Sequence, residues 1–420
     1  YLGDGTDWNA TFLVAEYDDS TGEATISGTL ATSKLDVGSI SGSLTGGTEL
    51  SNIAGSNLSI DSNGTLNASG GGGGGGGGNW TANGNLLEPS DGSIDGIDVD
   101  EVNAELLAAS GPATVTVDGE RVLELTAQSG GDAGNLIAGH SSNSVASNTV
   151  GGAILSGGSD DGSTDRSHTV AGDNSVIAGG EDNEITGFVS AIAGGSSNVA
   201  GAVDAVGGGT ENKATGTWTA IAGGVGNEAS GRGSFVAGGH NTAIGEYATV
   251  TGGSGDVSEG NTVHDDHGTI SGGNLNRIGQ SSGGTANGST ISGGQGNEID
   301  GPMSVIGGGN GNAVDAEEAV IGGGEANSAT GYYATVAGGA NNEATEQGAT
   351  VGGGGGASTG TGNTATGLYA TAAGGTDNHA TSGAATVGGG AENSANGKSS
   401  TISGGLANQA SGDGSSVLGG

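Results

Sequence analysis

The sequence predicts an all-β fold, a parallel β-solenoid or β-roll whose coils are about fifteen residues long. Paired glycines return along the last two-thirds of the chain in steps of fourteen or fifteen residues. The first of each pair is Gly179, Gly194, Gly208, Gly223, Gly238 and Gly252, then Gly293 to Gly353, then Gly374 to Gly419. Two residues before nearly every pair stands valine or isoleucine, as at Ile192, Ile306, Val336 and Ile402, with Ala372 the exception. Four residues after the first glycine stands asparagine, at Asn183, Asn198, Asn212, Asn227, Asn276, Asn297, Asn312, Asn327, Asn342, Asn378, Asn393 and Asn408; Thr242, Asp256 and Ala357 depart from this.

Each part of the unit has a local reason. The β-branched position favours an extended backbone, and a shorter strand-sized stretch follows the asparagine. Glycine permits the positive φ of a tight turn, and asparagine is the other residue that tolerates the left-handed region, so the asparagines read as turn residues. Stacked coil on coil, they also make a ladder. From Gly139 to Gly420 the coils would form a rod of about 85 Å at roughly 4.7 Å per strand. The remaining inward candidates are small: Ala329, Ala334, Ala344, Ala349 and Ser304. A coil with one Val or Ile buries little apolar area, at about 25 cal/mol per Å², against about 1–2 kcal/mol per residue of backbone ordering. The lone chain is therefore expected to be marginal, and several copies, as a homotrimer, to share a core along the axis.

The first third is organised differently. Residues 1–69 read as a small β-rich attachment module, with apolar alternation over 11–16 and 24–30 around the turn Asp18-Asp19-Ser20-Thr21-Gly22. The passages at 50–55 and 58–67 resemble linkers in tail-fibre proteins of tailed viruses. Nine glycines, Gly70 to Gly78, read as a flexible linker. Residues 79–130 read as an α/β connector: a short helix over 98–110, stopped by Gly111-Pro112, then a hairpin of 114–117 and 121–125 about Asp118-Gly119. The β-roll repeats occupy 131–420.

Stretches such as Ala334-Thr335-Val336-Ala337-Gly338-Gly339 followed by Asn342-Glu343-Ala344-Thr345 resemble the head repeats of YadA-type trimeric autotransporter adhesins. The resemblance implies a left-handed parallel β-roll, three chains wide, that binds host surfaces or matrix. It covers about 131–420. The chain departs from that pattern in using Gly-Gly where the family has an apolar residue and glycine, and in its asparagine.

Charge narrows the setting. Seven basic residues face 46 acidic ones, a net charge of −39 and a pI near 4.1. Copies side by side repel in dilute buffer, whereas at about 1 M salt the screening length falls to roughly 3 Å. This composition reads as that of a halophile's protein, from a salt-loving archaeon or one of its viruses. No basic patch offers a nucleic-acid interface, and no apolar run reaches the ~18 residues of a membrane span. There is no cysteine, so stacking and association must supply what disulfides do elsewhere.

Catalysis is not expected: no Ser or His constellation is spaced for it, and glycine-motif matches arise freely among 99 glycines. No cofactor is expected, bound cations aside. Cation candidates are Asp160, Asp161 and Asp165 in one insertion and His264, Asp265, Asp266 and His267 in another stretch. The glycine step lengthens at 157–179, 252–272, 272–293 and 353–374, and extra residues in a solenoid leave as loops. Trp218, Tyr247, Tyr333 and Tyr369 stand five residues before a glycine pair, with Phe188 and Tyr332 one place earlier, so they line one edge as receptor-binding candidates. Asn287 carries the one sequon of the rod. The functional expectation is an extracellular trimeric fibre of a halophilic virus that attaches to a host-surface glycan or glycoprotein, with residues 1–130 toward tail or baseplate proteins. The alternative is a cell-surface adhesin or filament of a halophilic microbe.

Overall fold

The computed structural model describes residues 112–420, apart from 118, 128–132, 161, 255, 257, 281–285, 357 and 359, and strand backbones within residues 13–89. The chain divides into two compact units, Tyr1–Val102 and Asn103–Gly420. In the first, Leu13–Asp18 pairs antiparallel with Glu23–Ser27. Leu50–Ile53, Ser56–Ile60 and Leu66–Gly70 form an antiparallel sheet, and Trp80–Asn83 pairs with Leu86–Pro89. The helix expected over 98–110 and Gly71 to Gly78 lie outside the described residues.

The second unit is a parallel β-solenoid of about 18 turns. Each coil gives one short strand to each of two facing sheets. The first sheet takes the strand before the glycine pair, as Ala191–Ile192 pairing with Val176–Ile177 and Ala205–Val206. The second, 17-stranded, takes the strand after the asparagine, as Glu184–Ile185 pairing with Val199–Ala200. Most strands are only two residues long, because the glycine turn and the turn opposite consume the rest of the coil. No helix occurs among the described residues.

The core lies between the sheets. Ile177, Ile192, Ile291, Ile306, Val336 and Ile402 are fully buried from one side, and Ile185, Ala200, Ala329, Ala344 and Ala395 from the other. Ala334, Ala349 and Ser304 are buried as expected. Two expectations need correcting. Val170, Ile185, Val263, Ile278, Ile299 and Val314 add a second β-branched residue to their coils, and all are buried within one chain. The apolar interior is therefore closed without a neighbour, and a shared core is not what burying these residues requires.

The second correction concerns the asparagines. None of them adopts positive φ; the residue before them does, as Asp182 (54°), Ser197 (56°), Glu211 (57°), Leu275 (58°) and Glu392 (57°) show. The asparagines point inward instead and, Asn408 apart, are buried. Asn312 shows the pattern. Its Oδ1 accepts the backbone N–H and an Nδ2 hydrogen of Asn327 one coil on, each at 3.0 Å. Its own Nδ2 donates to Asn297 Oδ1 and to the carbonyls of Gly308 and Gly324, each at 3.0 Å. A buried amide left unpaired is costly, and here every polar atom of the side chain is used.

The ladder runs on where the fixed count from the glycines failed. Asn241, Asn261 and Asn363 occupy its rungs, each donating its N–H to the previous asparagine's Oδ1 at 2.9–3.0 Å. A fourteen-residue coil brings Asn241 one place nearer the glycines. Inserted residues push Asn261 and Asn363 further away. The ladder begins at Asn143, and His168 holds the next rung: its N–H donates to Asn143 Oδ1 (2.8 Å) and its Nδ1 accepts from the Asn183 N–H (3.2 Å).

The expected hairpin is present as Ala113–Val117 with Glu120–Thr126, and its second strand pairs antiparallel with Asn135–Ala138. It covers the first coil, where Arg121 Nη2 donates to the carbonyls of Ser141 (2.6 Å) and Asn143 (2.5 Å). The open strand edge of the first coil is thereby paired.

His168 is the weak rung. Its buried Nε2, beside the Gly180 carbonyl, makes no hydrogen bond of acceptable geometry, and burial lowers its pKa below 6.5 despite the backbone groups that oppose the shift. The unfolded chain then takes up a proton that the folded chain refuses. This contribution to stability is full above about pH 6.5 and lost as the pH falls toward the folded-state value. His168→Asn is expected to stabilise the chain by about 1 kcal/mol and to flatten the pH dependence of its denaturation midpoint between pH 7 and 5. An unchanged pH profile would exclude this role for the ring.

Candidate functional site

The turn opposite the glycines carries a row of large exposed side chains. One residue per coil there is left-handed, and many are neither glycine nor asparagine: Val189 (55°), Val203 (60°), Trp218 (66°), Tyr247 (56°), His267 (60°), Met303 (54°), Glu318 (54°), Tyr333 (60°), Tyr369 (55°), Ala384 (57°) and Ser399 (56°). Such a conformation costs an L-residue roughly 1–2 kcal/mol. Glycine does hold the position at Gly233, Gly288 and Gly348, so the geometry itself does not demand bulk.

The predicted aromatics are brought to this edge as one row and are exposed: Phe188 54%, Trp218 53%, Tyr247 43%, Tyr333 44% and Tyr369 58%. From Trp218 to Tyr369 the row spans roughly 43 Å at about 4.8 Å per coil. The Arg232 guanidinium lies 4.3 Å from the Trp218 ring centroid and 5.6 Å from that of Tyr247, a cation held between two π faces. Tyr247 stacks on His267 with centroids 5.3 Å apart. Trp218, Arg232, Tyr247 and His267 therefore follow one another along the axis as one stacked group. Tyr332 and Tyr333 meet edge to face at 4.1 Å, and their hydroxyl contact pushes the Tyr332 pKa up to about 12, so it stays a hydrogen-bond donor.

Bulk on this edge is matched from coil to coil. A Cβ on Gly233 would sit 2.7 Å from the Tyr247 ring, and one on Gly348 2.4 Å from the Tyr369 ring. Each tyrosine thus lies over the glycine one coil before it. Equal phase in the sequence located the row; Arg232 as its filling was not foreseen, because it stands one place earlier in its own coil.

The candidate cation ligands are not drawn together in the same way. Asp160 bridges Asp165 across a small antiparallel turn, where their carboxylates accept the N–H groups of Gly162 (2.7 Å) and Ser167 (3.1 Å). Asp161 lies outside the described residues. In the other stretch the side chains part company. Asp265 accepts the Ala286 N–H (2.6 Å), Asp266 accepts the Glu246 N–H (2.8 Å) and His267 stacks on Tyr247. The His264 pKa is lowered, first by burial and then by Arg277. Among the described residues no three His, Asp or Glu side chains form a group able to hold a metal ion.

Three of the insertions fall between the glycine pair and the ladder rung, within 159–167, 254–260 and 355–362, and residues 281–285 of the fourth lie outside the described residues. Asn287 is exposed. A cleft lined by Glu211, Lys213, Glu228 and His240 opens over the glycine–asparagine side. Among the described residues no helix is long and apolar enough to cross a membrane. No protein-family model matches this chain, and no curated protein matches its sequence.

Proposed function

We propose that this chain is a structural and adhesive fibre protein, with the solenoid as shaft and the aromatic edge as its attachment surface. The β-solenoid is a fold typical of structural proteins, and this reading assigns it no catalysis. The observation that carries the proposal is the row of exposed Trp218, Tyr247, Tyr333 and Tyr369 held in left-handed backbone, where glycine would be cheaper. Strained positions of this kind, held by the structure around them, cluster at functional sites. Tyrosine hydroxyls, the indole N–H and Arg232 offer donors suited to the hydroxyls of a surface glycan or glycoprotein. The YadA-like pattern of the repeats points the same way, and the acidic surface fits work in brine.

The setting we favour is the tail fibre of a halophilic virus, extracellular and joined through its N-terminal unit to tail or baseplate proteins; the alternative is a cell-surface adhesin. Immunogold electron microscopy of the native culture separates the two: gold on particles supports the virus, gold on cells the adhesin. Adhesion is tested with the full chain on a glycan array at high salt. Replacing Trp218, Tyr247, Tyr333 and Tyr369 together by alanine is expected to weaken retention at least about tenfold, each exposed aromatic contributing on the order of 0.5–1 kcal/mol. Equal binding by the variant, or none by the parent chain, would remove the adhesive edge.

A further inference from the structure

The two sheets differ in charge on their outer faces. Along the second sheet the outward positions include Glu184, Lys213, Glu228, Arg277, Glu298 and Glu343. Arg277 there pairs with Glu298 and with Asp300. Along the first sheet the outward positions flank the buried β-branched residue, as Ala191 and Ala193 flank Ile192 and Thr335 and Ala337 flank Val336. From Ala153 to Ser416 none of them is charged; they are alanine, glycine, serine, threonine, valine, Leu155 and Phe235. A chain of net charge −39 has kept one whole face free of charge. Apolar side chains also stand open to solvent on it: Phe235, Val305 and Val320 are each 38% exposed.

We infer that this face is where copies of the chain meet, side by side and parallel, through their first sheets. The occupant this face fits is a second copy of the chain. Acidic rods repel one another everywhere else, so a charge-free surface is the one on which they can close. The face repeats at the coil spacing over its whole length, and another copy of this chain repeats at that spacing too. At ~4.8 Å per strand and about 10 Å across, the face offers some 800 Å² per copy, the per-partner size of a standard stable interface. The interior is already filled, so association here adds a flat, small-residue contact to a finished solenoid. This deepens the fibre reading by naming the surface through which a homotrimer would assemble. A rod that stays single could still carry an adhesive edge, so the two readings fail separately.

The test is the mass of the full chain by light scattering at about 1 M salt, where screening shortens charge repulsion to roughly 3 Å. The parent chain is expected to be oligomeric. A double variant with Thr335→Glu and Thr350→Glu is expected to fall to monomer mass, and Ser328→Glu, on the second sheet, to keep the parent's mass. Because buried charge could also disturb folding, a second measurement uses the lack of native cysteine. Thr335→Cys is expected to form a disulfide-linked dimer on mild oxidation, and Ser328→Cys to remain uncrosslinked. A parent chain that is monomeric at high salt, or a Thr335→Glu, Thr350→Glu variant as large as the parent, or crosslinking at Ser328→Cys alone, would overturn the proposal.

Discussion

Replacing Asn312 by alanine is expected to cost the solenoid about 3–5 kcal/mol, with its urea denaturation midpoint dropping accordingly. The loss is not that of one contact. The Asn327 backbone N–H loses the Oδ1 it donates to and the Gly308 carbonyl loses the Nδ2 that caps it, while the Gly324 carbonyl keeps the N–H of Asn310 at 2.9 Å. Each buried group left without its partner costs roughly 1–3 kcal/mol, because no water replaces it. Asn408→Ala is the internal control. It stands in the last described coil, is only partly buried, and no described residue donates to its Oδ1. Its replacement is expected to cost about 1 kcal/mol. If the two variants denature alike, the ladder is decoration and not support.

The second large effect is at the glycine pairs. In Gly324 the backbone is left-handed at φ 96°, and a Cβ would lie 2.0 Å from the carbonyl oxygen of Gly339 in the next coil. That oxygen is backbone, held by its own hydrogen bond to Glu325, so neither side can yield without parting two coils. Gly324→Ala is expected to cost more than about 4 kcal/mol, at the exceptional end of single substitutions, and to show as a split or broadened thermal transition. Gly296→Ala is the contrast: φ is 62° and nothing lies within 4 Å of the added carbon. Only the conformational penalty of roughly 1–2 kcal/mol applies there. Comparable losses at both sites would mean that turn conformation, and not coil spacing, sets the need for glycine.

These two sites show why the fold was readable and where reading stopped. Gly324 and Ile321 recur in phase because every coil repeats one local requirement, a turn and an inward apolar residue, and such requirements leave a period in the sequence. The aromatic row was legible for the same reason, since Trp218, Tyr247, Tyr333 and Tyr369 share a phase. Asn241, Asn261, Asn363 and His168 were missed as rungs, because a rung is defined by the residue stacked on it and not by its distance from the last glycine. The turn role expected of the asparagines was likewise displaced one residue earlier. The local preference of asparagine for left-handed backbone gave way to the larger gain of a satisfied buried amide.

The sequence by itself determined the coil, its length, its inward line of valine and isoleucine, and the edge on which the aromatics stand, since all of these follow from spacing along one strand of chain. Only the tertiary structure decided that the interior closes within a single chain, that a continuous amide ladder threads past the insertions, and that one face of an intensely acidic molecule is without charge. Those properties belong to neighbours in different coils. Insertions change how far apart such neighbours lie in the chain while leaving their separation along the axis the same.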